Sequence, residues 1–344
     1  MKRRNGEIDA LKFLFAAAIM IYHGWNYLGL DRGLFAAGYM GVEFFFVTSG
    51  FFLAAHVVRR GSSSEETPLS YVVSRYKFFF VWQIVAFAAS FVVLAIISGW
   101  GAGQMTTTLV RAIPEILLLQ QSGLMLNPTY VVNGITWYLS ALLLVSFIAY
   151  WLIRKFGKGF LCFGAPLVAL LILGYFVHAG GFSNPWGWTG FFYHGFLRAG
   201  AEMFLGCFIY GIVANGGELG KTWLGKSGSG VVLAVKAVCI AALVVLATGG
   251  GQDYLFIFLI VVCVLMLVMQ VRPAVLPDKP NEVFIYLGRL SLPVFLNQLW
   301  CWKLMDYFLG FSTWNPALAI GAYSVAVIAL SAVEMAVIDT VRKR

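Results

Sequence analysis

Charge is scarce in this chain. Of 344 residues only 11% are Asp, Glu, Lys or Arg, against about 25% in globular domains. With 60% hydrophobic residues and a mean hydropathy of +0.84, a water-soluble fold is excluded. Cysteine pairing is also lacking. Cys162, Cys207, Cys239, Cys263 and Cys301 all fall in apolar segments without paired spacing, which argues against a disulfide framework or a zinc site and for small core residues. No Walker loop, nucleotide fingerprint or zinc spacing occurs, so neither a metal nor a permanently bound cofactor is expected. No internal repeat is evident. No stretch is long or polar enough to form a soluble domain, and residues 1–344 read as a single transmembrane domain.

What the chain has is a succession of long apolar runs. A spanning helix needs about 20 mostly apolar residues to cross the hydrocarbon layer. Such runs predict helices over 9–28, 40–57, 78–98, 135–153, 160–178, 196–214, 231–248, 254–271, 284–305 and 316–337. The segments between them carry turn chemistry, as in GSSSEETP after the second and RPAVLPDKPNE after the eighth. The expected fold is an all-α integral membrane protein, one bundle of about ten transmembrane helices.

The net charge of +9 is distributed by topology, not gathered into a nucleic-acid surface. With the N-terminus inside, the inner segments hold seventeen Lys and Arg residues and the outer segments only Arg32 and Arg111. Positive residues collect in cytoplasmic loops, so both termini are expected in the cytoplasm and the protein in the cytoplasmic membrane. Part of the basic charge can also bind acidic headgroups or a cytoplasmic phosphate-bearing ligand. The N-terminal MKRR resembles the start of a signal peptide, but Asp9 and Lys12 interrupt the apolar core and no small-residue cleavage site follows His23; a retained helix is expected. In the long outer segment 99–133, Leu109, Ile113, Ile116 and Leu117 fall at helical spacing beside Arg111, Glu115 and Gln120. An interfacial or re-entrant helix fits, either covering an outward-opening site or serving as a connector.

Ionisable groups inside a bilayer cost several kcal/mol unless paired, which makes each a functional candidate. Lys12 and His23 are eleven residues apart on the first helix, so they leave one face about 16 Å apart along the axis. The bland alternative is a snorkelling lysine and a structural histidine hydrogen bond. Glu43, in GYMGVEFFFVTSGFFL of the second helix, can orient His23 as carboxylates orient catalytic imidazoles, or it can pair with Arg198. Ser49 and Gly50 read as close-packing residues. His194, Arg198 and Glu202 share a face at successive i, i+4 steps; Arg198 either pairs with Glu202 or meets a sugar or carbonyl oxygen. His56 reads as a boundary residue, and His178 has no evident role. Arg75 and Lys77 open the third helix beside aromatic residues and, with Arg59 and Arg60, make a basic inner mouth near Lys12 suited to phosphates.

These residues resemble the acyltransferase-3 family of membrane-bound O-acyltransferases. The family's first helix carries an aspartate and then an arginine, ten intervening residues and a histidine; IDALKFLFAAAIMIYH supplies Asp9, Lys12 and His23, with lysine for arginine. GVEFFFVTSGFFL follows the next signature almost letter by letter, and TWYLSALLL and FLRAGAEMFLGCFIYG resemble later elements more loosely. In LGRLSLPVFLNQLW, Asn297 stands about where the family often has a late histidine, and the proline common at the start of the third helix has no counterpart near residue 78. The resemblance covers nearly the whole chain. It implies transfer of an acyl group, usually acetyl from acetyl-CoA, to a hydroxyl of an envelope glycan or similar acceptor, with the lipid bilayer as surroundings and no nucleic-acid partner.

The mechanism expected on this basis has acyl-CoA on the inner face, its phosphates held by Arg75, Lys77 and Arg59, with its pantetheine arm passing Lys12. His23 acts as general base or acyl carrier, Glu43 orients it, and Arg198 or Tyr138 contacts the acceptor or the oxyanion. The rival reading is a transporter with Lys12, His23, Glu43 and Arg198 as an ion pathway. A transporter would more often show repeats with interrupted helices, and none is evident.

Overall fold

The computed structural model describes residues 6–61, 64–125, 131–215, 228–250, 253–269 and 278–343. Among them the chain is 83% helix with no strand. The helices are α1 (Gly6–Tyr27), α2 (Gly41–Arg60), α3 (Pro68–Ile97), α4 (Ala102–Arg111), α5 (Ile113–Ile116), α6 (Trp137–Phe156), α7 (Ala165–Ala179), α8 (His194–Asn215), α9 (Gly228–Gly249), α10 (Asp253–Met269), α11 (Asp278–Leu309) and α12 (Pro316–Lys343). Each of the ten expected apolar segments is helical. Seven elements are long and apolar enough to cross a membrane: α1, α2, α3, α6, α7 with the π-turn that precedes it, α8 and α12. The apolar stretches Leu233–Gly249 of α9 and Asp253–Val268 of α10 are shorter.

Burial sorts the helices into centre and rim. The most apolar window of α6 is 72% buried and that of α2 67%, against 28% for both α7 and α12. The rim helices turn residues such as Leu167, Leu170, Val325 and Val333 outward, as lipid-facing surfaces require. At the centre α2 and α8 nearly touch. A Cβ at Gly50 would lie 1.9 Å from the Met203 carbonyl oxygen, and one at Gly206 2.0 Å from that of Val47. Small residues at a crossing let backbones approach this closely, so Gly50 is a packing residue, as expected.

Two local features depart from the sequence expectation, and a third decides between alternatives it left open. Helix α3 starts ten residues before 78, because Thr67 and Ser70 form a reciprocal capping box and Pro68 occupies its first turn. A proline, Pro68, thus stands at the start of this helix, ten residues before the expected one. Helix α2 begins beside the middle of α1, with Gly38 packed on the Ala18 carbonyl and Gly41 on that of Phe15. The segment after α3 folds back along it: the Gln83 amide donates to the Glu115 carbonyl at 3.3 Å and the Tyr76 hydroxyl to that of Ile116 at 3.3 Å. Gln83 lies fourteen residues before the end of α3, so the chain folds back about 21 Å along that helix. Helix α4 on the way has no buried residue.

The turn between α2 and α3 is clamped to α6. Arg154 donates to the carbonyls of Gly61 and Ser64, and the Glu66 carboxylate meets His56 Nε2 at 2.6 Å and accepts from the Tyr150 hydroxyl at 3.1 Å. Burial alone would raise the Glu66 carboxyl, but the hydrogen bonds from His56 and Tyr150 and the charges of His56 and Arg60 outweigh it and hold it below its ordinary range. His56 is thus a boundary residue in a structural cluster.

Candidate active site

Helices α1, α2, α3, α6, α11 and α12 enclose a cavity of about 400 Å³. Its walls are largely aromatic, with Phe45, Phe78, Trp82, Tyr138 and Phe295. Its charged residues are Lys12, Arg289, Asp339 and Arg342, and Ser49 and Tyr138 supply hydroxyls. Lys12 bonds to Asp9 at 3.5 Å and lies 5.9 Å from the Phe52 ring centre. Asp9 in turn fixes α1 on α11, since a Cβ at Gly288 would meet the Asp9 side chain at 2.4 Å. Arg289 pairs with Asp339, and Arg342 lies over the rings of Phe78 and Trp82. From Arg289 to Phe295 the cavity climbs about 9 Å along α11.

A second cavity, of about 260 Å³, lies further along the same two helices. Ser90 and Leu94 of α3 and Leu299, Trp300 and Lys303 of α11 line it, with Trp186 and the 131–134 segment. Helices α3 and α11 therefore run side by side in one direction, their N-terminal halves around the basic cavity and their C-terminal halves around the tryptophan cavity. Along α11 the two are separated by four residues, Phe295 to Leu299, which is about 6 Å or one turn.

The dividing layer is polar. Glu115, buried in the segment that folds back along α3, accepts from the backbone N–H groups of Val132 and Asn133 at 2.7 and 2.8 Å and from the Thr136 hydroxyl at 3.2 Å. The Asn133 amide donates to the Leu296 carbonyl at 3.0 Å. Asn297 donates to Glu334 at 2.6 Å and accepts from the Trp300 indole at 3.0 Å. Val131, Val132 and Gly134 thus wall the tryptophan cavity, held in place by Glu115.

His23 stands at the height of this layer. Helices α1 and α11 are parallel: the Gly6 N–H donates to Asn281, Asp9 packs on Gly288, and Tyr27 stacks on Trp302 with ring centres 5.5 Å apart. Gly24 touches Tyr323, whose hydroxyl donates to the Gln298 carbonyl at 3.0 Å. His23, one turn before Tyr27 on the same face, is therefore level with Gln298, between the cavities. Lys12, three turns earlier, reaches the basic cavity. The His23 ring contacts Tyr22 with centres 5.0 Å apart, and among the described residues it makes no hydrogen bond. The structural hydrogen bond that was the bland alternative is not formed there.

Glu43 is placed elsewhere. Because α2 starts beside Phe15, eight residues before His23, Glu43 lies roughly 12 Å below the imidazole along the axis, and the two form no hydrogen bond. Its carboxylate instead meets Arg198, with Nη2 to Oε1 at 2.7 Å and Nε to Oε2 at 3.4 Å. Arg198 also bonds to Glu202 at 3.0 Å and to the carbonyls of Phe182 and Tyr39, both at 3.2 Å. At 2% exposure this guanidinium is bonded through Nε, Nη1 and Nη2 and lines neither cavity. Of the two residues expected at the acceptor or oxyanion, Tyr138 lines the basic cavity and Arg198 does not. Arg59, Arg75 and Lys77 are exposed on the surface at the same end of the bundle; Arg59 donates to the Ala55 carbonyl and Arg75 covers the Tyr71 ring. The cavity's own arginines, Arg289 and Arg342, were not singled out from sequence. The first lies mid-helix with no visible partner, and the second reads as a terminal topology charge.

No metal-binding cluster of His, Cys, Asp or Glu occurs among the described residues. Neither the curated proteins nor the solved structures searched contain a match. Residues 5–333 match the family described as an acyltransferase domain. Its span takes in the Asp9–Lys12–His23 stripe, the α2 signature, the tryptophan cavity and the basic cavity apart from Met335, Asp339 and Arg342, and the chain belongs to the acyltransferase-3 family of membrane acyltransferases.

Proposed function

We propose that the protein moves an acyl group, acetyl in the simplest case, from cytoplasmic acyl-CoA to a hydroxyl of an extracytoplasmic carbohydrate or related acceptor. The observation that carries this reading is the stripe from Lys12 to His23, which runs from a basic cavity to a layer one helical turn thick with a second cavity beyond. The basic-cavity end faces the cytoplasm, in keeping with the excess of Lys and Arg in the segments at that end. All ten long helices cross the bilayer, α9, α10 and α11 included, and the protein sits in the cytoplasmic membrane.

Arg289 and Arg342, with Lys12, hold the phosphates of the donor, and the exposed Arg75 and Lys77 extend the same positive field. The pantetheine arm follows the aromatic wall past Lys12. The acceptor hydroxyl enters from the tryptophan cavity and attacks the thioester carbonyl carbon. His23 takes the hydroxyl proton as the new C–O bond forms; the C–S bond breaks, and the proton passes to the leaving thiolate. A two-step variant has the imidazole nitrogen carry the acyl group between donor and acceptor. Tyr138 and Ser49 offer hydroxyl donors to the thioester oxygen in the basic cavity.

Donor placement is tested by CoA binding to purified protein. Arg342→Ala and Arg289→Ala should each weaken binding by about 1.5 kcal/mol, roughly tenfold and at the low end for charge-assisted hydrogen bonds because both side chains are exposed. Arg75→Ala and Lys77→Ala should have smaller effects. Parent-like binding in both cavity variants, with losses confined to Arg75 and Lys77, would move the donor site to the exposed surface.

A further inference from the structure

Lys303 stands out because every other cation described around the two cavities has a partner. It is half-buried, lines the tryptophan cavity and makes neither an ion pair nor a hydrogen bond among the described residues. Asp306, one turn further along α11 and the natural partner at i, i+3, instead accepts from the Ser312 N–H at 2.7 Å. An unpaired ammonium withdrawn from water carries a free-energy cost that a bound anion would offset. A second buried group points the same way. Ser90 is 2% exposed, lines this cavity, and its hydroxyl has no partner among the described residues.

The remaining walls define what kind of anion fits. Trp186 and Trp300 line the cavity, and Trp300 is held in orientation by its hydrogen bond to Asn297 at 3.0 Å. Flat aromatic faces accept the apolar face of a sugar ring while polar groups at the edge take its hydroxyls. The cavity, at about 260 Å³, has room for one sugar ring. A lipid headgroup would satisfy Lys303 but has no use for two indoles and a buried hydroxyl.

We propose that the tryptophan cavity seats a sugar unit carrying a negative charge, with Lys303 binding its carboxylate or phosphate, Trp186 and Trp300 packing on its ring, and Ser90 bonding to a ring hydroxyl. The acceptor of the transfer reaction is then an anionic glycan. This rests on the proposed function only in naming the occupant the acceptor.

The test is direct binding without donor, by saturation-transfer NMR on detergent-purified protein, using D-glucuronate as the anionic probe and D-glucose as its neutral counterpart. Glucuronate should bind at least about tenfold more tightly than glucose, as a charge-assisted contact requires. K303Q should abolish that difference and K303R should keep most of it. S90A should weaken both sugars alike. Equal affinity for the two sugars in the parent, no binding of either, or an undiminished preference in K303Q would each overturn the proposal. Binding of glucuronate by a protein that transfers no acyl group would sink the proposed function and leave this site standing. Acyl transfer without any anion preference would do the reverse.

Discussion

Arg198→Ala is expected to cost about 3–5 kcal/mol, the range for removing one partner of a buried ion pair, and to leave little monodisperse protein after detergent extraction. Two carboxylates, Glu43 and Glu202, are fully buried around this one guanidinium, which also holds the carbonyls of Phe182 and Tyr39. Alanine would leave both carboxylates facing each other in a medium that cannot solvate them. Arg198→Lys keeps the charge but not the planar fork that spans four acceptors, so it should recover only part of the loss. Glu43→Gln should be more damaging than Glu202→Gln, because both Glu43 oxygens are bonded while Oε2 of Glu202 has no partner among the described residues. Thermal unfolding followed by size-exclusion chromatography reads all four variants. A folded Arg198→Ala protein of parent stability that has lost only activity would return Arg198 to the acceptor or the oxyanion.

His23→Ala should do the opposite. It is expected to abolish transfer while leaving the protein folded, with a change in stability of about 1 kcal/mol or less, typical where no special interaction is lost. General base catalysis alone contributes about 10²–10⁴-fold, and an acyl carrier would be indispensable. No other histidine replaces it: His56 is bonded to Glu66 at one end of the bundle, His194 to Tyr175 at 3.1 Å at the start of α8, and His178 is exposed in the last turn of α7. Lys12→Ala should raise the KM for acyl-CoA, and Lys12→Arg should retain much of the activity because the family carries arginine at that step of the pattern. Activity and unfolding temperature measured on the same purified samples separate the two roles. An active His23→Ala enzyme, or one inactive only because it unfolds, would take the imidazole out of the mechanism.

The fold was legible where apolar length decides it. Every helix expected from a run of about 20 apolar residues is present, because in lipid the backbone has few other ways to satisfy its hydrogen bonds. Ends were misjudged where helices continue beyond the apolar run: α3 begins at Pro68 and α11 at Asp278, both inside segments that polarity alone assigns to loops. The Lys12–His23 stripe was legible because helical periodicity fixes its geometry within one element. The partner of Glu43 was not, since it depends on where α2 starts against α1. Gly38 and Gly41 set that register through close backbone contact, which no hydropathy pattern reports. Arg289, Arg342 and Lys303 escaped for a related reason. Each matters through the cavity it faces, and a cavity exists only after separate elements have packed.

In the proposed reaction an acyl group passes from one face of the membrane to the other by way of His23. This passage is tested most directly in sealed vesicles of known orientation, supplied with acetyl-CoA labelled in the acetyl group, for the parent and for His23→Ala. The parent should place base-labile label in the carbohydrate-containing envelope fraction only when acetyl-CoA reaches the cytoplasmic face, and His23→Ala should place none. Labelling of that fraction from the opposite face alone, equal labelling by His23→Ala, or none by the parent would contradict it.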